Sequence, residues 1–337
     1  MINIMHVYDN SRKNKNKFVP ISIPLMKKIK KSKNDFFAIG DIDSNLDADY
    51  TLSSIFELCS LIFKVKQYDR IVLHSCMSGY YGLLLFIVLL SVQKEKIYMV
   101  LQGGEVNFIE MDSIKNKILF LIRKRIMKRI GFLVTNVESD YYKALSLYNI
   151  DSIHIDGGGF YLTNVVYNVC QQVKNKKIMV GNSAHKRNNH KAIIQFLEKE
   201  AWISDYECII PLSYGDSDYA KDIERYAKER LPCKVTPLYE FMSLSEYHTY
   251  INDIEIAFFY HDGQQGMGNI YSLLGSGAKI YLKDESYKML SNMGFIVYQY
   301  NNITNEVIEE HVIKNIDTII DCFSEKAVLE KIEAVLS

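Results

Sequence analysis

The first half of the chain alternates short apolar runs with longer segments in which apolar residues recur every three to four positions. Five β-prone runs predict buried strands, at residues 2–8, 36–39, 70–74, 96–101 and 132–135. The segments between them predict helices at 51–66, 78–93 and 113–130. Because strands alternate with helices, the pattern indicates a doubly wound, mostly parallel sheet.

The same alternation starts again after a glycine run at 156–159 and a polar stretch that reaches Asn175. The second series of strands is predicted at 177–181, 206–211, 233–237, 255–260, 278–282 and 295–298, with helices at 188–199, 217–230, 243–252, 268–276 and 284–292. We therefore expect two facing Rossmann-like α/β domains with a cleft between them. The expected boundaries are 1–155 for the first domain, 156–175 for a linker, 176–303 for the second domain and 304–337 for a terminal helical segment.

Composition agrees with two folded cores, since 337 residues exceed one ordinary domain and 48% of them are hydrophobic. The longest apolar run, Leu83 to Leu90 with its flanks, is shorter than the roughly 20 residues of a membrane-spanning helix, and we interpret it as a buried helix. The six cysteines form no CxxC pair, so neither zinc nor a disulfide framework is predicted and a cytoplasmic protein is expected. The N-terminus does not have the pattern of a signal peptide.

Charge divides unevenly between the halves. Residues 1–155 carry 22 lysines and arginines against 15 acidic residues, whereas residues 156–337 carry 18 against 25. The basic half favours an anionic partner, such as a phospholipid surface or a polyprenyl diphosphate, although incidental surface charge explains it equally well. The basic stretch 121–130 predicts either an amphipathic helix on a membrane surface or an ordinary outer helix.

The most informative motif is the glycine-rich segment 257–278, which predicts a strand, a polar loop and a helix. Free amides at the start of such a helix carry a positive partial charge suited to a diphosphate, and glycines let the backbone approach it. The residues that we assign to donor binding here are Gln264, Gln265, Gly266, Met267, Gly268 and Asn269.

Two further strand ends in the second half carry polar residues. Asn182 and Ser183 follow one predicted strand, and Lys186 and Arg187 come just after them as candidate phosphate ligands or as solvated loop cations. Tyr214 follows the next strand, where its ring could stack on a base, bond a phosphate or simply pack. We assign all five residues to the donor site.

In the first half, Glu105 follows a predicted strand and two glycines, and we take it as the candidate general base for an acceptor hydroxyl. A surface residue or a helix cap is the alternative for this glutamate. Gln102, Gly103, Gly104 and His74 are assigned to the acceptor side. The Asp-x-Asp pairs at 41–43 and 47–49 are interpreted as turn residues rather than as a metal site, and no metal, cofactor or nucleic-acid partner is predicted.

Several of these motifs, in their order and spacing, resemble the enterobacterial transferases that move 4-acetamido-4,6-dideoxygalactose (Fuc4NAc) from TDP to lipid II of common-antigen synthesis. The resemblance is carried by Val180–Ser183 with Asn188–His190, by Pro211–Gly215, by Leu244–Tyr250 and above all by Gln264–Gly268. It implies a GT-B fold, a metal-independent enzyme that inverts the anomeric carbon, a TDP-sugar donor and a polyprenyl-diphosphate-linked acceptor at the inner face of the cytoplasmic membrane.

The chain departs from that family at the expected catalytic loop. The family has a histidine and a tryptophan before a glycine and an aspartate after it, whereas this chain has no such rings among Val100, Leu101 and Gln102 and its acid is Glu105. The acceptor could therefore belong to an O-antigen or capsule pathway. Two other functions remain open: a GT-B-fold sugar-nucleotide epimerase, and a non-catalytic nucleotide-sugar-binding scaffold.

Overall fold

The computed structural model describes residues 1–11, 16, 19–40, 47–77, 79–107, 109, 111–157, 160, 174–261 and 265–336. The chain divides into two compact units. Unit 1 contains Met1–Leu162 and Glu325–Ser337, and unit 2 contains Thr163–Ser324. Each unit is built on one parallel sheet, which confirms the predicted α/β fold class.

Unit 1 has a seven-stranded sheet in the order β3-β2-β1-β4-β5-β6-β7. Its strands are β1 (Ile2–Asp9), β2 (Ser32–Ile39), β3 (Tyr50–Leu52), β4 (Arg70–His74), β5 (Ile97–Val100), β6 (Phe132–Thr135) and β7 (Ile153–Asp156). Its helices are α1 (Val19–Met26), α2 (Ile55–Lys64), α3 (Gly79–Leu89), α4 (Gly104–Asn107), α5 (Ile114–Met127) and α6 (Glu138–Tyr148), with α13 (Glu325–Leu336) from the end of the chain.

Two apolar layers enclose this sheet, as expected for parallel strands that are buried on both faces. Helices α2, α3, α5 and α6 supply one layer, in which Leu61, Leu85 and Ile126 are fully or almost fully buried. Helices α1 and α13 supply the other, in which Ile23 packs in the same cluster as Ile332. The chain end is therefore part of the core of unit 1.

Two sequence predictions in unit 1 are wrong in part. Residues 51–52 were expected to begin a helix but belong to β3. The helix begins only after its N-cap residue, Ser54, which forms a capping box with Glu57 in the first turn. The helix expected to be buried, α3, covers Leu85 and Leu89 but exposes Leu83 and Ile87. Helix α3 has apolar residues on all of its sides, but only one side of the helix faces the sheet.

Unit 2 has a five-stranded sheet in the order β10-β9-β8-β11-β12. Its strands are β8 (Lys177–Val180), β9 (Glu207–Pro211), β10 (Lys234–Leu238), β11 (Ile256–Phe259) and β12 (Lys279–Leu282). Its helices are α7 (His190–Leu197), α8 (Ser217–Arg230), α9 (Leu244–Asn252), α10 (Met267–Gly275), α11 (Asp284–Asn292) and α12 (Glu309–Phe323).

Helices also cover both faces of the second sheet. One face packs on α7 and α8 through residues such as Ile194 and Ile223, and the other packs on α9, α10, α11 and α12. The strand expected at 295–298 is reduced to a bridge between Tyr298 and Tyr281. The reason is local, because the side chain of Asn315 bonds both the amide and the carbonyl of Ile296 and so replaces a strand partner.

The terminal helical segment expected at 304–337 divides at Ser324 between the two units. Helix α12 packs on α10 in unit 2, where Ile319 and Phe323 are buried. Helix α13 packs on α1 in unit 1, and an ion pair joins Lys28 to Glu325. Among the described residues, no helix combines the length and apolar character that crossing a membrane requires.

Candidate functional site

A cavity of about 310 Å³ lies at the carboxyl edge of the sheet in unit 2. Parallel strands end at this edge, and it is the usual position of ligands in open α/β sheets. The lining residues come from the ends of β8, β9 and β10 and from α9 and α10; they are Asn182, Pro211, Ser213, Tyr214, Leu238, Glu240, Phe241, Met242, Tyr247 and Asn269. Three of these, Asn182, Tyr214 and Asn269, were predicted from the sequence.

Asn182 is the centre of a polar network beside this cavity. Its amide donates to Oδ1 of the buried Asn188, 3.2 Å away, which holds the turn after β8. Its side-chain Nδ2 donates to the hydroxyl of Tyr214 over 3.2 Å, and its Oδ1 lies 3.5 Å from Nε2 of Gln265. The structure thus brings together residues from three separate sequence motifs.

The start of α10 is open toward a ligand. The backbone of its N-cap residue, Gly266, lies in the left-handed region with φ of 64°, and glycine provides no side chain to cap the helix. A Cβ added to Gly268 would meet nothing within 4 Å, so the protein itself leaves this position open. Uncapped amides at the first turn carry the positive partial charge that binds diphosphates.

Tyr247 contributes a polar group that the sequence analysis did not single out. Its hydroxyl is buried and has no hydrogen-bond partner among the described residues. Burial, with a smaller contribution from Tyr214, raises the pKa of Tyr247, so the hydroxyl stays protonated and able to donate. A buried unpaired hydroxyl in a cavity wall is the kind of group that a ligand satisfies.

The segment after β10 was also missed, although it supplies Glu240, Phe241 and Met242 to the cavity. This segment contains no glycine motif, so its sequence alone does not indicate a binding loop. The rule that ligands bind at the carboxyl ends of parallel strands would have found it, since it follows Leu238 directly.

Other predicted donor residues lie outside the cavity lining. Ser183 is fully buried, and its hydroxyl and carbonyl accept hydrogen bonds from the side chain of Asn188. Lys186 and Arg187 are exposed on a short 3-10 turn, where Lys186 lies 3.9 Å from Asp216. Gln264 lies outside the described residues.

In unit 1, Glu105 is almost completely buried at the start of α4, with 3% of its surface exposed. Its Oε1 accepts hydrogen bonds from the hydroxyl of Ser75, at 2.5 Å, and from the amide of Cys76, at 3.3 Å. Its Oε2 accepts one from the amide of Gln102 at 3.1 Å. The carboxylate therefore joins the loop after β4 to the loop after β5.

Ser75 and Gln102 are the partly exposed members of this group, and the backbone of Ser75 is unusual. Its φ is 84°, in the left-handed region that a residue with a side chain rarely adopts. Such strain persists only where surrounding contacts hold it, and the bond to Glu105 is one such contact. The hydroxyl of Ser75 therefore connects the buried carboxylate of Glu105 to a partly exposed residue.

Two side-chain amides at the same edge of the sheet contain buried atoms that have no hydrogen-bond partner among the described residues. Asn10, which follows β1, is 2% exposed, and neither its Nδ2 nor its Oδ1 has a partner among the described residues. The Nε2 of Gln102, after β5, is likewise buried and unpaired in the described part of the chain. Because β1, β4 and β5 are adjacent strands, Asn10, Ser75 and Gln102 lie along one stretch of the sheet edge.

The remaining acceptor-side candidates, His74, Gly103 and Gly104, have contacts or backbone conformations that support the fold. His74 is 1% exposed, and its Nε2 lies 2.9 Å from Nδ1 of the buried His6. Burial lowers the pKa of both rings, that of His6 to about 4, so the pair is neutral at physiological pH. Gly103 has φ of 88° and Gly104 begins α4, so these two glycines shape the turn that buries Glu105.

The sequence model of the family described as 4-alpha-L-fucosyltransferase, glycosyl transferase group 56, matches residues 28–327. This match covers most of the chain and confirms the predicted resemblance. No curated protein shows a significant match.

Solved structures with the same fold include nucleotide-sugar enzymes. The Anabaena protein HepE in complex with UDP and glucose is 10% identical, with a TM-score of 0.62 over 100% of this chain and 99% of that one. E. coli trehalose-6-phosphate synthase bound with UDP-2-fluoro glucose is 10% identical, with a TM-score of 0.59 over 98% of each chain. UDP-GlcNAc 2-epimerase from Methanocaldococcus jannaschii is 12% identical, with a TM-score of 0.52 over 99% of each chain. These neighbours confirm the GT-B fold.

Proposed function

Because this chain belongs to the 4-alpha-L-fucosyltransferase family, group 56 of the glycosyl transferases, we propose that it moves a deoxyamino sugar of the Fuc4NAc type from TDP to a polyprenyl-diphosphate-linked saccharide. Its membership makes it a glycosyltransferase. The proposed reaction inverts the anomeric carbon, needs no metal, and takes place at the inner face of the bacterial membrane in the synthesis of common antigen, O-antigen or capsule.

The observation that carries the donor proposal is the position of the uncapped start of α10 beside a cavity with polar and aromatic walls. The diphosphate lies against the first amides of α10, over the open face of Gly268. Asn182, held by Asn188, and Asn269 then bond the phosphate oxygens or the sugar. The hydroxyl of Tyr247 gains its missing partner from the ligand.

In this proposal the thymine base of TDP occupies the cavity. Pro211, Leu238 and Met242 give it an apolar wall that the methyl group of thymine can cover, and the exposed ring of Phe241 is available for stacking on the base. Glu240 is available as an acceptor for a ribose hydroxyl. The neighbours that bind UDP or a UDP-sugar support a nucleotide-sugar donor of pyrimidine type for this chain.

The acceptor saccharide binds unit 1 at the ends of β1, β4 and β5. Sugar hydroxyls both donate and accept hydrogen bonds, and the unpaired amides of Asn10 and Gln102 offer both kinds of partner. These groups are buried without partners in the described part of the chain, so a ligand that pairs them removes a desolvation cost.

Glu105 acts as the base through Ser75 in this proposal. As the acceptor oxygen attacks the anomeric carbon, its proton passes to Oγ of Ser75, and the proton of that hydroxyl passes to Oε1 of Glu105. The bond from the anomeric carbon to the diphosphate oxygen breaks on the opposite face, and the amides of α10 stabilise the charge on the departing TDP. One displacement gives inversion, and the proton ends on Glu105.

Incubation of the protein with the TDP-sugar, with and without a lipid-linked acceptor, tests this function. The proposal predicts TDP release that depends on the acceptor, and a product whose new linkage has the opposite anomeric configuration to the donor. Donor consumed without acceptor would indicate the epimerase alternative. TDP binding with no release of TDP from the TDP-sugar in the presence of any acceptor would indicate the scaffold alternative.

A further inference from the structure

Helix α3 of unit 1 is a surface helix without a charged residue. It packs between α2 and α5, and its buried side meets the sheet through Leu85 and Leu89. Its outer side exposes Tyr80, Leu83 and Ile87, each by 45–49% of its surface. Helices on the surface of a soluble domain ordinarily place charged residues on that side, so this helix is unusual.

The neighbouring helices extend the apolar surface on both sides. On α2, Phe56 and Phe63 are 88% and 74% exposed. On α5, Ile114, Ile118 and Leu121 recur at helical spacing and are all exposed, Ile114 by 79%. The three helices cover one face of the same sheet, so their outer sides form one continuous surface, which we call the apolar-basic face. A contiguous surface of this kind marks an interaction site rather than scattered exposed side chains.

The charges on this face are mainly positive. The exposed cations of α5 and its C-cap are Lys115, Lys117, Arg125 and Lys128, and α5 contains no acidic residue. Glu57 is the single acidic residue of helices α2, α3 and α5, and its carboxylate caps the start of α2 by bonding the amides of Ser53 and Ser54. Large apolar side chains surrounded by cations suit an anionic lipid surface, in which the apolar groups enter the acyl boundary and the lysines meet the head groups.

We propose that the apolar-basic face docks unit 1 on an anionic phospholipid bilayer, with α3 at its centre. The inference relies on the proposed function for its purpose, since a polyprenyl-linked acceptor lies in a membrane, but the surface itself is independent of donor and acceptor. A second copy of this chain is the less favourable occupant. A symmetric dimer through this face would bring the same cations of both copies together.

Vesicle co-sedimentation of the whole chain, without donor or acceptor, tests the inference. We expect binding to vesicles of phosphatidylglycerol with phosphatidylcholine, weak binding to phosphatidylcholine alone, and loss of binding at high salt. The double substitution Leu83→Gln with Ile87→Gln should lower the vesicle partition coefficient by about tenfold, because both side chains lose their apolar contribution. Lys115→Gln with Lys117→Gln should lower it on anionic vesicles by about tenfold or more.

Matched controls lie on α12 of unit 2, whose exposed Ile313 and Ile320 have almost the same exposure as Leu83 and Ile87. Ile313→Gln with Ile320→Gln should leave vesicle binding unchanged. For charge, Lys288→Gln with Lys314→Gln, two exposed lysines of unit 2, should also leave it unchanged. Circular dichroism melting of each variant establishes that it is folded. If Leu83→Gln with Ile87→Gln unfolds, the variant Lys115→Gln with Lys117→Gln still tests the inference.

Equal binding by wild type and both unit 1 variants would overturn the inference, as would no binding to anionic vesicles. A concentration-dependent dimer without lipid that Leu83→Gln with Ile87→Gln converts to a monomer would also overturn it, by assigning the face to a second copy. None of these outcomes depends on turnover, so a failure of the proposed glycosyl transfer is seen separately in the TDP-release assay.

Discussion

Gly266 and Asn182 lie so close that a side chain at position 266 would displace the side-chain amide of Asn182. A Cβ at Gly266 would be 3.0 Å from Cγ of Asn182 and 3.1 Å from its Oδ1. The φ of 64° at Gly266 is itself unfavourable for any residue with a Cβ. The start of α10 and the turn after β8 are thus fitted to each other, and both contribute to the proposed donor site.

Substitutions at the two glycines of this motif should separate stability from binding. Gly268→Ala adds a methyl group to open space within the first turn of α10, so it should raise the free energy of unfolding by up to about 1 kcal/mol. The same methyl should lower TDP affinity, because it occupies the side from which the diphosphate approaches. Gly266→Ala should lower both, the stability by about 1 kcal/mol or more. Urea unfolding and TDP calorimetry measure the two effects, and unchanged TDP affinity in Gly268→Ala would contradict the assignment.

Tyr247→Phe should increase stability and weaken the donor complex. Removing a buried hydroxyl that has no partner among the described residues should raise the free energy of unfolding by about 1 kcal/mol. Donor affinity should fall by about tenfold, because the ligand loses one hydrogen bond.

The matched control for that variant is Tyr300→Phe, since the Tyr300 hydroxyl is also buried and unpaired in the described structure but does not line the cavity. It should show a similar gain in stability with the donor affinity of the wild type. Equal donor affinity in Tyr247→Phe and Tyr300→Phe would exclude a ligand contact for Tyr247.

Ser75→Gly tests the proton route through the loop after β4. Glycine accepts the φ of 84° without strain, which offsets the lost hydrogen bond to Glu105, so stability should change little. The turnover number should fall by about a hundredfold or more, because the hydroxyl that passes the proton is gone.

Glu105→Gln should lower turnover similarly and should also cost stability, by about 1–3 kcal/mol, because an amide cannot accept all three hydrogen bonds of the carboxylate. The double variant should be no slower than the slower single one. Wild-type turnover in Ser75→Gly together with an inactive Glu105→Gln would show that Glu105 acts without Ser75.

The buried histidines make the protein sensitive to acid. Burial lowers the pKa of His190 from 6.5 to about 4, so the unfolded chain binds a proton between these values that the folded chain does not. Stability is therefore full above pH 6.5 and falls as pH decreases toward 4, by about 2 kcal/mol between pH 7 and pH 5 for this residue. Urea unfolding at the two pH values measures the total loss, to which the buried His6 and His74 also contribute. His190→Asn should make this loss smaller by about 2 kcal/mol, whereas the same change at the exposed His185 should leave it unchanged. An equal pH dependence in both variants would contradict the assignment.

Much of the fold was predictable because strands buried on both faces form short, nearly continuous apolar runs, whereas the helices between them place apolar residues every three to four positions. The bounds of β4, β6, α8 and α11 agree with prediction to the residue. Helix α1 was not predicted, since Pro24 inside it disfavours a helix and only packing against the sheet and α13 explains it. The strand β3 has three residues at a sheet edge and too little pattern to be read.

The donor motif was predictable for a similar reason, because glycines before a helix leave a readable sequence signal. The contributions of Tyr247 and Asn10 were not, since their importance comes from hydroxyl and amide groups that folding leaves unpaired in the described structure. Sequence alone indicates that α3 is apolar, but it cannot indicate which side of that helix remains outside the core. The burial of Glu105 likewise depends on contacts with Ser75 and Cys76, far away in sequence.

A crystal structure of the chain with TDP tests the central claim most directly. The account predicts diphosphate oxygens at hydrogen-bond distance, about 3 Å, from the amides of Met267, Gly268 or Asn269, and a bond to the Tyr247 hydroxyl. TDP bound with its diphosphate away from the start of α10, or bound only to unit 1, would contradict it.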